Sequence, residues 1–155
     1  MPRRAACALV AFASVAGTVA CASPTGPKSC GTLAACQADA TRRFGHPLLV
    51  PVGDTYVQGA LDRGVVGLEF RDPSAGPFSV FAGKPGSNHA SCPGQVLQAP
   101  AARTFCGGRT IDALRAQFVS GQLLYTVDVP APRSSASSLS PADEALLERV
   151  VGALS

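Results

Sequence analysis

The chain has no tryptophan, two tyrosines and two histidines in 155 residues. So few rings leave little from which to build a stacking platform for single-stranded nucleic acid. Several chemical signatures are also missing. There is no G-x-S-x-G turn to raise a nucleophilic serine. Gly107-Gly108 is not followed by the Lys-Ser/Thr pair of a phosphate-cradling loop. No C-x-x-C pair suggests thiol exchange. Glutamate occurs only at positions 69, 144 and 148, the last two on an amphipathic terminal segment, so paired carboxylates for glycoside hydrolysis are poorly provided for. Asp54, Asp62 and Asp72 fall at expected turns, where Asp is favoured for its backbone bonding alone.

What the sequence has first is an export signal. Arg3-Arg4 form a positive start, and Ala5 to Ala20 then carry no charge and are mostly Ala, Val and Leu. That run is shorter than the roughly 20 strongly apolar residues of a membrane span and is broken by Ser14, Gly17 and Thr18. It reads as a signal peptide over residues 1–20. Two cleavages compete. Val19-Ala20-Cys21 places small residues before a cysteine that could take a lipid, with Thr18 where Leu is usual. Ala20-Cys21-Ala22 fits the small-x-small rule of ordinary signal peptidase and would release a diffusible protein. Residues 21–31 form a tether and residues 32–155 a single domain with a real core. Without Arg3 and Arg4 the formal charge drops from +3 to +1, so nucleic acid is not an expected partner. Arginine outnumbers lysine 11 to 2, which reads as a bias of base composition.

Six cysteines stand at 7, 21, 30, 36, 92 and 106. Cys7 leaves with the signal, and Cys21 is either lipidated or removed. The even remainder, outside the cytoplasm, implies two disulfides. Three connectivities are open. Cys30–Cys36 with Cys92–Cys106 is favoured, because Thr32 as a helix cap would set Cys30 just before the cap and Cys36 one turn inside, facing each other. Closing the loop between Cys92 and Cys106 would stabilise the fold by about 3 kcal/mol.

Along the chain, Leu33, Cys36, Ala40 and Phe44 recur at helical spacing, Arg42 and Arg43 suit the last turn, and Gly45 stops the helix. Residues 46–52 are an extended run between prolines. Strands are expected at 56–61, 65–70 and 78–81, with 65–81 a hairpin around the 72–77 turn. Residues 84–100 read as a loop. A short strand at 103–106 and a hairpin over 115–129 follow. After the 130–138 linker, Ser140, Pro141 and Asp143 supply a cap, a first-position proline and a capping box. Leu146, Leu147, Val150, Val151 and Leu154 then form an apolar stripe that must dock on something, most simply the domain's own sheet. The fold class is α+β: an N-terminal helix, a curved antiparallel sheet and a C-terminal helix packed on the sheet.

The junction at Val19-Ala20-Cys21 resembles that of bacterial lipoprotein precursors. The mature part is similar to small bacterial extracytoplasmic domains found in lipoproteins and in the outer parts of anti-sigma factors. The matching pieces are FGHPLLVPVG at 44–53, YTVDV at 125–129 and SPADEALLERVVGAL at 140–154, within a resemblance spanning most of residues 32–155. The four internal cysteines are not part of that pattern. What the resemblance implies is a binding or sensing role in the envelope, with no catalytic residues to carry over.

The histidines offer little chemistry. His46, beside Pro47 at a helix exit, reads as a polar capping or surface residue. His89-x-x-Cys92 combines two zinc-ligand types, but no second pair completes a site and Cys92 is better placed in a disulfide. No metal, cofactor or catalytic residue is expected. The reading is an exported envelope protein, anchored to the membrane through a lipid on Cys21, with a non-enzymatic domain for an unknown protein or an apolar small molecule. A curved sheet with its helices could enclose an apolar cavity for the latter. A secreted location remains the alternative to the anchor. A small secreted hydrolase using His46 or His89, and a structural envelope component, are the competing functions.

Overall fold

The computed structural model describes residues 26–86, 92 and 94–155. The signal peptide, Cys21 and His89 lie outside the described residues. Strand β1 (Lys28–Ser29) leads to helix α1 (Leu33–Phe44). Strands β2 (Thr55–Asp62), β3 (Val65–Asp72), β4 (Gly76–Gly83) and β5 (Gln95–Ala99) follow, then a short 3-10 turn at Pro100–Ala102. Strands β6 (Arg103–Arg109), β7 (Ala113–Ser120) and β8 (Leu123–Pro130) precede helix α2 (Pro141–Gly152). The architecture is α+β, one open sheet of eight antiparallel strands in the order β1-β2-β3-β4-β8-β7-β6-β5.

Both helices begin at side-chain caps, and α1 also ends at a glycine cap. The Thr32 side chain accepts from the Ala35 N–H at 3.2 Å, and Gly45, at φ 84°, returns its N–H to the Thr41 carbonyl. Ser140 and Asp143 form the reciprocal capping box of α2. Strand β5 departs from the expected loop over 84–100. Val96 is exposed, while Leu97 and Ala99 are buried. A β-branched apolar side chain thus points away from the core, which hides the alternation from a reader of the sequence.

The register gives the sheet an internal symmetry that no sequence repeat announces. On its buried face, Gly59, Leu68, Val80, Val127, Ala116 and Gly107 lie directly opposite one another across β2, β3, β4, β8, β7 and β6. A glycine ends the row on each side, and each glycine lies under a helix. A Cβ on Gly59 would stand 2.7 Å from Cys36 Sγ, and one on Gly107 would stand 3.4 Å from Leu147. The helices settle where the sheet has no side chains. Aromatic residues obey the same approximate two-fold. Tyr56 meets Phe70 edge-on and Phe70 stacks on Phe78 at one corner, with ring separations of 6.0 and 5.7 Å. Phe118 and Tyr125, 5.2 Å apart, lie near the diagonally opposite corner.

Each helix is fastened differently. The Cys30–Cys36 disulfide ties the first turn of α1 to the chain leaving β1. Gln37 holds the following segment, donating to the Leu48 carbonyl at 2.9 Å and accepting the Leu48 N–H at 2.7 Å. That segment then pairs with the end of the chain, through Val50 with Ser155 and Pro51 with Leu154. Helix α2 is held by two arginines of β6. Arg103 donates to the Val151 and Leu154 carbonyls, and Arg109 donates to Asp143. Six residues of strand span about 20 Å and twelve of helix about 18 Å, so the two arginines reach opposite ends of α2.

Candidate functional site: the uncovered face of the sheet

The helices and the 46–52 segment cover one face only. The layer between is filled by Tyr125, Phe70, Phe78, Leu68 and their neighbours, all almost wholly buried. Two grooves lie on the opposite face. Three rows cross that uncovered face. One is polar: Gln58, Glu69, Ser79, Asp128 and Arg115. Gln58 donates to Glu69 at 2.7 Å, and Arg115 grips Asp128 with two bonds of 2.7 and 2.8 Å. This pairing raises the Arg115 pKa above its usual value, the hydrogen bond to Asp128 being the main cause. The next row is small or aromatic: Ala60, Gly67, Phe81, Thr126, Gln117 and Cys106. The third, Val65, Gly83, Leu124 and Val119, is apolar.

Over β2, β3 and β4 these rows form a groove of about 380 Å³. Gly67 creates it. The Phe81 ring leans over β3 so closely that a Cβ on Gly67 would stand 3.1 Å from it. Phe81 and Ala60 supply apolar floor; Gln58, Glu69, Ser29 and Ser79 supply hydrogen-bonding groups. Among the described residues Glu69 is the one charged side chain in the lining. A second groove of about 320 Å³ lies over β6 and β7 beside the Cys92–Cys106 disulfide, with Arg109 and Arg115 in its wall.

Among the described residues the other candidates are mostly spread apart or committed elsewhere. His46 Nδ1 donates to the Pro47 carbonyl at 3.1 Å, and the other ring nitrogen is Nε2. That nitrogen is buried against the Gly121 turn, with no hydrogen-bond partner among the described residues. It is not aimed at a nucleophile. Glu144 and Glu148 lie on α2, away from Glu69 on the uncovered face. Asp54 and Asp72 do face each other. Burial, then the Asp72 charge, push the Asp54 pKa up, while Ala75 and Ser74 hold the Asp72 carboxylate below its usual range. Asp72 accepts from the Ser74 N–H at 2.6 Å and the Ser74 hydroxyl at 2.8 Å, which closes the β3–β4 turn. Among the described residues no three His, Cys, Asp or Glu side chains converge as metal ligands.

Cys30–Cys36 and Cys92–Cys106 are both bonded, with Cα separations of 5.2 and 5.4 Å. Two disulfides suit an oxidising, extracytoplasmic compartment. No described helix is long and apolar enough to cross a membrane. Comparison with protein-family models, with curated proteins and with solved structures finds no significant match for this chain.

Proposed function

We propose that this is a cell-envelope binding domain, tethered through a lipid on Cys21, whose ligand lies in the β2–β4 groove. One observation carries the reading. The sheet covers one face with helices and leaves on the other a groove with an aromatic floor, opened by a glycine at its centre. The lining favours a small, largely apolar ligand bearing a hydrogen-bond donor or a positive charge. Glu69, Gln58 and Ser79 provide acceptors, and among the described residues no cation lines the groove. His46 and the separated glutamates favour binding over hydrolysis.

The test uses Nile red as an apolar probe. Saturable fluorescence enhancement is expected with the native chain, weakened at least tenfold by Gly67→Val, which fills the groove. Unchanged affinity in Gly67→Val rules out this site. Intact mass of the protein from its native membrane fraction tests the anchor: a diacylglyceryl group on Cys21 is expected, and an unmodified N-terminus in the culture fluid overturns the tether.

A further inference from the structure

We infer that the corner of the domain carrying Lys28, Arg42, Arg43 and Arg63 is an interface for an anionic lipid surface. These residues come from three elements. Lys28 is on β1, opposite Leu61 of β2; Arg42 and Arg43 end α1; Arg63 tips the β2–β3 turn. Lys28, Arg42 and Arg43 share one shallow cleft with Asp39 and Leu61. The side chains of Lys28, Arg42 and Arg63 are 78, 69 and 84% exposed. Two acids stand among these four cations. Asp39 pairs with Arg42 and lies 4.0 Å from Lys28, and Asp62 lies 3.9 Å from Arg63. The corner keeps a net charge of +2, whereas the other described residues carry eight carboxylates against seven cations. Positive charge is thus concentrated at one end of a nearly neutral domain.

Two further features give that end a direction. Lys28 is seven residues from Cys21, at most about 25 Å of chain. A domain of this size is roughly 35 Å across. On the proposed reading of Cys21 as an anchor, the tether is shorter than the domain is wide, so the corner that holds β1 faces the membrane. The second feature is Arg63 itself. It sits at φ 42°, beside Gly64 at φ 91°, in a two-residue hairpin turn. Both central positions of such a turn favour Gly, Asn or Asp. An exposed arginine held there is poorly suited to the turn and well suited to reaching outward.

The test is cosedimentation of the mature chain carrying Cys21→Ser, which has no lipid, with vesicles of phosphatidylglycerol and phosphatidylcholine at low salt. Binding to the mixed vesicles and not to pure phosphatidylcholine is expected, and should weaken as salt rises. Each arginine near an anionic surface contributes about fivefold. Arg42→Gln/Arg43→Gln/Arg63→Gln should therefore lower partitioning about 10- to 100-fold. Arg71→Gln/Lys84→Gln/Arg133→Gln makes the same change in net charge at exposed sites elsewhere and should lower it less than threefold. Arg63→Asn, which relaxes the turn, should still lose about fivefold. No binding, or equal losses in the two triple variants, overturns the interface. The mass of Cys21 reads the anchor separately: a lipidated protein whose corner has no effect on binding sinks this inference alone.

Discussion

The two halves of the sheet match in strand order and in register, yet they hold their helices by unlike means. Helix α1 fully buries only Cys36 and Ala40. Helix α2 buries Leu147, Val150 and Val151, and Leu154 follows in the same stripe. At about 1.5–3 kcal/mol for each large apolar side chain, packing alone can seat α2. Packing does less for α1, where Leu33 and Phe44 are only partly buried against the core and Cys36 Sγ is the α1 atom that comes nearest to Gly59. The disulfide supplies what the apolar stripe lacks. On the other side, Arg103 and Arg109 add orientation to a helix already held by its core. The same glycine-ended row thus accepts a covalent fastening at one end and a packed, charge-clamped one at the other.

The largest test of that difference is Leu147→Ala. Leu147 is fully buried against Gly107, and its truncation should cost about 2–5 kcal/mol in urea unfolding. Ala40→Gly, the matching loss on the buried face of α1, should cost only about 1 kcal/mol. Equal costs would mean that α1 is held by its packing after all.

Removing the covalent fastening comes next. Cys30→Ala/Cys36→Ala opens a short loop and should cost about 2–3 kcal/mol. Amide exchange should place the loss in α1 and leave α2 protected, since none of the contacts of Arg103 or Arg109 depends on Cys36. Loss of protection in α2 as well would show one cooperative unit. The Tyr56 hydroxyl loses its partner in this variant. It lies 3.4 Å from Cys36 Sγ, and a disulfide sulfur has no proton, so the phenol is the donor.

These contrasts are only partly legible in the sequence. Thr32, Gly45, Ser140, Pro141 and Asp143 announce both helices, because caps are local chemistry. The hairpins around the 72–76 and 121–122 turns are legible for the same reason. Strand β1 is too short to carry a pattern, and β5 points Val96 outward. The groove cannot be read at all. Ala60, Gly67 and Phe81 become neighbours only through the pairing of β2, β3 and β4, and nothing local marks Gly67 as more than a weak point in a strand. Arg103 and Arg109 likewise become a clamp only once α2 lies along β6.

Acid should separate the halves as well. The Asp143 carboxylate is held below its usual range, chiefly by the Ser140 N–H, with Arg109 adding to it. A carboxylate with a depressed folded pKa stabilises the fold above its ordinary value, and that contribution is lost as pH falls through the folded pKa. Asp72 behaves the same way in the other half, but Asp54 beside it is shifted upward, so protonating Asp54 favours the fold and opposes the loss. The α2 amides should therefore lose protection first below about pH 4. Asp143→Asn should cost about 1 kcal/mol at neutral pH and remove most of that acid step. If α1 opens first, the two aspartates do not offset each other.

The smallest expected effect concerns the β2–β3 turn. Arg63→Gly should stabilise the domain by about 0.5–1 kcal/mol, because glycine meets no steric cost at φ 42°. A gain of this kind has a meaning that a loss would not. A residue that weakens its own turn, makes only a 3.9 Å contact with Asp62 and stays 84% exposed contributes little to holding the fold. The β7–β8 turn, by comparison, places Gly121 at φ 60° and carries no charge at its tip. The matched substitution there, Gly121→Arg, should destabilise by about 1 kcal/mol and gain no affinity for anionic vesicles, because that turn ends the other half of the sheet. If Arg63→Gly does not stabilise, then the arginine is part of the fold, and the asymmetry between the two turns is structural.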